Sequence, residues 1–310
     1  MRTSMKRLAT LLALVMMNLY ASVLMAASLN VVTTTTDLAW LARQIGGDDV
    51  QVTALLTGRE DPHYVDAVPR YIHQVANADA VCVVGMDLEI GWIPKVLSKS
   101  ANAQIQPGGS GYCDASEHVD ALDVITDSVN RSMGDVHPDG NPHYHLSPLH
   151  LLQAGEKVLD VLIELQPDRA QQLLQNYQLL SERLAALQTE IQSKLKPLRD
   201  WRFLEYHKDF GYFFDAYGLE SVGELEAVPG VPPSAGRLAK TSISAKKEGV
   251  QLLIASSHNP LKVLKRFSSL SGVPYVQVST SIQFDGDIND YATLQHHIAD
   301  ALLQTAQRTN

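Results

Sequence analysis

Three histidines of this chain, His63, His143 and His207, stand in short turn sequences that could hold a transition metal. They occur in Asp61-Pro62-His63, in Gly140-Asn141-Pro142-His143-Tyr144-His145 and in Glu205-Tyr206-His207, each just past a run that reads as a β-strand. Imidazole is a preferred ligand of zinc and similar borderline ions, and such a site must draw its donors from distant chain segments into one crevice. Turns at the carboxyl ends of strands in an α/β fold do that gathering. A single Asp-Pro-His would carry little weight, because Asp-Pro mainly forms turns and a lone histidine usually belongs to the surface or the core. Three in equivalent settings carry more, and the chemistry they suggest is the grip of a divalent cation.

The elements that must position these residues follow from periodicity. Leu29 to Thr35, Gln51 to Leu56 and Ala80 to Gly85 read as strands, with helices near Leu38 to Ile45, Pro69 to Ala78 and Glu89 to Ser98 between and after them. Such alternation implies parallel β-α-β units with helices on both faces of the sheet. From Pro148 the pattern becomes helical, and Leu173, Tyr177, Leu180, Leu184, Leu187, Ile191 and Leu195 form one apolar stripe ended by Pro197. A helix from Asp168 to Lys196 would span roughly 40 Å, enough to cross from one lobe to another. Alternation then resumes. Strands are expected at Arg202 to Tyr206, Ser221 to Glu226, Gln251 to Ser256 and Tyr275 to Thr280, with helices at Phe210 to Tyr217, Ser234 to Lys247, Leu261 to Leu270 and Tyr291 to Gln307. The expected fold is α/β, two lobes of parallel sheet flanked by helices and joined by one long rigid helix. Its parts are an N-terminal lobe over 28–165, a linking helix over 166–198 and a C-terminal lobe over 199–310.

Residues 1–27 read as a cleavable export signal: Arg2, Lys6 and Arg7 precede an apolar run from Leu8 to Met25, and Ala26-Ala27 suits cleavage. No cysteine follows that run and no later segment is apolar enough to span a membrane, so a soluble periplasmic protein is expected. Without the three leader cations, the 25 basic residues fall to 22 against 34 acidic ones, a mature charge near −12. Phosphate backbones need a basic surface, so nucleic acid is excluded as a partner. Cys82 and Cys113 could be bridged in an oxidising compartment, whereas Cys82 also fits as a small buried hydrophobe in a strand.

In order and spacing, the three histidine motifs, together with His207-Lys208-Asp209-Phe210-Gly211-Tyr212-Phe213, Tyr217-Gly218-Leu219 and the long helix, resemble the metal-binding periplasmic proteins of zinc and manganese ABC importers. The likeness covers nearly the whole chain after the leader. It implies a carrier, not an enzyme, with a metal held by His63, His143 and His207 between two lobes and passed to the membrane permease of an ATP-driven importer. A monomer is expected, and a periplasmic metallochaperone that loads it is left open. Two departures from the family pattern stand out. His145 and Ser147 occupy positions where the family usually has Trp and Asp, and the turn after the last strand, Val278-Ser279-Thr280-Ser281, lacks the carboxylate that many members place there. The fourth donor is then water, or Asp285 from further along; Asp287 is the other nearby acid. Three imidazoles without a carboxylate pair favour zinc over manganese, which prefers hard oxygen donors.

Other histidines have separate readings. His137 and His145 crowd the loop of His143 with Asp135 and Asp139, as an auxiliary zinc-capturing loop or as plain polar residues. His73, His118, His150, His258, His296 and His297 lack motif support. Because a ligating imidazole must be neutral, affinity should fall as pH drops through about 6.5. One rival reading is a secreted three-histidine zinc hydrolase with Glu205 as base, although the chain has no HExxH helix. Others are a manganese carrier, and a surface adhesin or metal buffer on the same fold.

Overall fold

The computed structural model describes residues 28–126, 136–226, 228 and 230–309. The expected leader and Asp135 lie outside the described residues. The first sheet contains β1 (Leu29–Thr33), β2 (Val50–Ala54), β3 (Ala80–Val83) and β4 (Tyr112–Asp114) in the order β2-β1-β3-β4. The second contains β5 (Arg202–Glu205), β6 (Glu220–Glu224), β7 (Leu252–Ser256) and β8 (Tyr275–Val278) in the order β6-β5-β7-β8. All pairings are parallel, with Val31 opposite Val52 in the first sheet and Leu204 opposite Leu253 in the second. In each sheet the chain lays its second strand on one side of the first and its third on the other. Loops leaving the carboxyl ends at that reversal diverge and open a crevice.

The flanking helices are α1 (Thr36–Gly46), α2 (Pro69–Ala76), α3 (Ile93–Lys99), α4 (Pro148–Leu165), α5 (Ala170–Lys194), α6 (Gly211–Tyr217), α7 (Ala235–Glu248), α8 (Leu261–Ser271) and α9 (Tyr291–Thr309). Their ends follow local chemistry. The Thr35 hydroxyl caps α1 by accepting from Leu38 N, and Ser147 caps α4 with Pro148 at its first position, where a missing N–H does no harm. Helix α3 starts four residues later than periodicity implies. Glu89 is taken up instead by the end of β3, its carboxylate accepting from Val84 N at 2.8 Å and from the Thr34 hydroxyl at 2.5 Å.

The region expected as a linking helix resolves into a tight turn at Pro167–Arg169, the 25-residue α5 and a second turn at Lys196–Leu198. At 1.5 Å per residue α5 is about 37 Å long. It buries Leu173, Leu180, Leu184, Leu187 and Ile191, and with buried Leu195 at its C-cap this is the predicted stripe less half-buried Tyr177, whose hydroxyl donates to Leu152 O at 3.1 Å. That face packs on α1 and α4 of the first lobe and on α6 and α9 of the second. One apolar cluster therefore runs through both lobes, while the outer face of each sheet has its own. The close approach of α4 depends on Gly155, where an added Cβ would meet Tyr177, Ile45 and Leu41 at 3.2–3.3 Å.

One strand is additional to those expected, and the open question of the cysteines closes on the buried-hydrophobe reading. The three-residue β4 was not foreseen, being too short for alternation to register. Cys82 and Cys113 are free, buried and opposite one another in the β3–β4 register, serving as small core hydrophobes. Burial, together with its hydrogen bond to Cys82, pushes the Cys113 thiol well up. Among the described residues no helix is long and apolar enough to cross a membrane.

Candidate metal centre

His63, His143 and His207 come together. One donor atom from each lies within 4.8 Å of the others, with ring centroids 5.2, 5.6 and 5.8 Å apart. Only His207 directly follows a strand, two residues beyond the end of β5. His63 lies well down the loop after β2, and His143 opens the turn Tyr144–Leu146 that leads into α4, so the shared strand-end setting expected for all three does not hold. The turns converge for different local reasons.

At His63 the Asp61 side chain folds back on its own turn, accepting from His63 N at 3.1 Å and meeting the ring Nδ1 at 2.7 Å. Trp92 Nε1 donates to Pro62 O at 2.9 Å and pins the turn to the first lobe. At His143, Asn141 accepts from His143 N at 2.9 Å through its amide oxygen, while its Nδ2 donates across the crevice to Lys208 O at 2.9 Å. Buried Tyr144 donates its hydroxyl to Val84 O at 2.8 Å, which holds the turn over β3. At His207 the ring Nδ1 meets Glu226 Oε2 at 2.9 Å, a carboxylate just past β6. Carboxylates on Nδ1 of His63 and His207 make that nitrogen the proton carrier and leave Nε2 as the donor for a metal, the usual support of a ligating imidazole.

Electrostatics separate the rings. Burial and the neighbouring imidazoles, His63 foremost, hold His143 well below the ordinary histidine value. Burial pulls His207 the same way, but Asp209, Glu226 and Asp61 outweigh it and raise it to about 9. Proton competition at His207 therefore begins far above the pH of 6.5 that an ordinary imidazole implies. Asp61 stays below the usual carboxylate range: burial opposes this, and the hydrogen bond and charge of His63, with the charge of His258, overcome it.

The turn after β8 carries no acid toward the site. Its backbone is bound by Thr36 Oγ1 donating to Ile282 O at 2.7 Å and by Ile282 N donating to Asp37 Oδ1 at 3.1 Å. Gly58, at φ 85°, lets the loop before His63 lie against this turn, since a Cβ there would sit 2.0 Å from Ile282 O. Asp285 is exposed and paired with Arg59 at 2.8 Å, and Asp287 is exposed too, so neither joins the three imidazoles. Apart from Asp61 and Glu226 on the Nδ1 sides of the rings, one further acid stands close to an imidazole of the trio. Asp209, two residues after His207, is 3 % exposed and brings Oδ1 to 3.4 Å from His143 Nε2. Its place two residues after a motif histidine is the signal the sequence carries for it.

Among the remaining histidines, His145 Nε2 donates to Thr280 O at 2.8 Å and so ties the two lobes. His137 packs its ring 5.3 Å from His63, with Nδ1 2.8 Å from Met86 O. His258, without motif support, is the second neighbour of Asp61, at 3.7 Å, and meets Ser256 Oγ at 2.9 Å. His118, His150, His296, His297 and His73 pair with Asp160, Ser147, Glu190, Ser279 and Asn77, away from the imidazole trio. Glu205 is buried, accepting from Phe210 N at 2.8 Å and Ser221 Oγ at 2.6 Å; burial raises it to about 8. A cavity of about 280 Å³ lined by Asp123, His137, Asn141 and Lys208 reaches His143 and His207 from one side. A second of about 140 Å³, lined by Asp61, Glu226 and His258, reaches His63 and His207 from the other.

Comparison with known proteins bears on the family and the fold. The family model described as zinc-uptake complex component A, periplasmic, matches residues 31–305. The zinc-binding protein AdcA of Streptococcus pyogenes serotype M3 is 25 % identical over 261 residues, covering 81 % of this chain and 50 % of that protein. The chain thus spans about half the length of the AdcA relatives it matches. The high-affinity zinc uptake system protein ZnuA of Yersinia pestis is 28 % identical over 234 residues, 68 % of this chain and 70 % of that one. In fold, the chain is similar to a crystal structure of ZnuA, with TM-score 0.73 and 22 % identity over 90 % of this chain and 99 % of the other. It is equally similar to the periplasmic zinc binding protein TroA from Treponema pallidum, with TM-score 0.75 and 20 % identity over 90 % and 99 %.

Proposed function

The chain belongs to the periplasmic zinc-uptake component A family, and from that premise we propose that it captures zinc outside the inner membrane and delivers it to the permease of an ABC importer. The observation that carries this reading is the convergence of three imidazoles from separate segments, two of them with Nδ1 held by a carboxylate, which leaves Nε2 as the nitrogen for a metal. Zinc takes such nitrogen donors at about 2.0–2.1 Å in a tetrahedral shell, which suits the set better than the oxygen-rich shell of manganese. His63, His143 and His207 are the ligands.

The protein acts as a monomeric carrier in the periplasm, and a metallochaperone that loads it would use the same crevice. It is not a catalyst: Glu205, the base a hydrolase would need beside His207, is engaged by Ser221 and Phe210 N within the core. Because α5 packs on both lobes, release is expected through movement of the loops bearing the ligands and small lobe shifts, not through wide hinge closure.

Equilibrium dialysis of metal-stripped protein tests the reading. One zinc per chain is expected, abolished or strongly weakened by His63→Ala, His143→Ala or His207→Ala, with no hydrolase turnover in the loaded protein. Retention of full zinc binding by all three variants would overturn it, as would a deletion strain that imports zinc normally under zinc starvation.

A further inference from the structure

We propose that Asp209 supplies the fourth donor to the zinc held by the three imidazoles, so that the shell is three nitrogens and one carboxylate oxygen, all four from this chain alone. The inference rests on the carrier reading above and adds a ligand to the same site. It starts from the turn His207-Lys208-Asp209, where Asp209 N donates to His207 O at 2.8 Å and the chain doubles back after β5. That tight turn sets the carboxylate beside the ring of the preceding motif. The residue is 3 % exposed, yet its Oδ2 has no hydrogen-bond partner among the described residues. A buried carboxylate oxygen without a donor is costly and calls for a compensating cation.

The other oxygen, Oδ1, lies 3.4 Å from His143 Nε2. A charge-assisted hydrogen bond would be shorter, about 2.7–2.9 Å. Two donors on one tetrahedral zinc, each bonded at about 2.0–2.1 Å, stand roughly 3.3–3.4 Å apart, which is the spacing found. The contact has the length of one edge between ligands; because no Asp209 oxygen lies within 4.8 Å of all three imidazole donors, the ligand loops must close on the ion for Asp209 to bind it. Charge points the same way. Three neutral imidazoles leave a buried dication uncompensated within its own shell, and Asp61 and Glu226 act only from behind the rings. Asp285, the acid expected as a fourth donor, is poorly placed, being exposed on Arg59, and the turn after β8 has no acid; water is the alternative that the cobalt spectrum separates from Asp209.

The test compares wild type with Asp209→Asn, which keeps the shape, Asp209→Ala and Asp285→Ala, each checked for an unchanged circular dichroism spectrum. Zinc affinity is measured by chelator competition, and the shell is read from the visible absorption of cobalt-loaded protein. Wild type should show the intense bands of tetrahedral cobalt. Asp209→Asn and Asp209→Ala should weaken zinc by about 100-fold, a loss at or above the 10- to 100-fold expected for a residue outside the shell. They should also shift the cobalt bands and open a position to added azide; Asp285→Ala should match wild type in every respect. Unchanged cobalt bands in both Asp209 variants would overturn the assignment, whatever the affinity. That failure is distinct from failure of the carrier reading, which would appear as wild-type zinc binding in His63→Ala and His207→Ala.

Discussion

Raising the pH from 7 to 9 should strengthen zinc binding far more than an ordinary histidine site allows. The carboxylates of Asp209, Glu226 and Asp61 overcome the opposing effect of burial and raise His207 to about 9. Zinc needs the neutral ring, so below that value the metal must displace a proton from it. At pH 7 only about one ring in 100 would be neutral, and the apparent affinity would lie about 100-fold below its limit; at pH 9 it would lie about twofold below. The expected gain between the two is therefore roughly 50-fold, against about 1.3-fold for a ring titrating at the ordinary 6.5. His143, held low by burial and its imidazole neighbours, is already neutral at pH 7 and adds nothing to this rise. Chelator competition at pH 7, 8 and 9, corrected for the chelator's own protonation, measures the slope directly. Calorimetry at pH 7.5 in buffers of different ionisation enthalpy should find about one proton released per zinc. A flat affinity over this range, with no proton released, would refute the assigned electrostatics of His207. The same raised value has a consequence for metal-free protein. Its contribution to stability is fully present below about 6.5 and is lost as pH rises through about 9.

Three further outcomes are expected. Glu226→Gln, which exchanges the carboxylate on His207 Nδ1 for a neutral amide, should flatten the pH dependence and lower zinc affinity by about 10- to 100-fold at pH 9, where proton competition is nearly gone, as chelator competition would show. Zinc should displace manganese from metal-stripped protein at equal concentration, and competition dialysis in which manganese won would refute the donor-set argument. Leu180→Ala, which empties a buried position on the stripe of α5, should lower unfolding free energy by about 2–5 kcal/mol in denaturant titration.

Much of the scaffold was legible because its signals are local. The strand beginning at Leu29 and that beginning at Gln251 are dense in β-branched and aliphatic residues, and the Leu173 to Leu195 stripe has a helical period. What failed was context. Tyr112–Asp114 pairs with β3 over three residues, too few for any period. Glu89 reads as part of a helix, but its carboxylate is consumed by Val84 N and Thr34. At the site, the three motif histidines were visible as types in turns, and the turns do meet. Their supporting acids were not all visible: Glu226 sits 19 residues from His207 and becomes its partner only because β6 lies beside β5. His258 reaches Asp61 across the crevice for the same kind of reason, the placement of β7 next to β5. Asp209 was in plain sight beside His207, but only burial distinguishes it from a solvated turn residue.

The central claim is that one cation is held by imidazoles from both sides of the crevice. Crystals of zinc-loaded protein, measured on either side of the zinc absorption edge, test it most directly. A single strong anomalous peak about 2.0–2.1 Å from Nε2 of His63, His143 and His207 is the predicted result. A peak bound by other side chains, with these three rings turned away from it, would contradict the account.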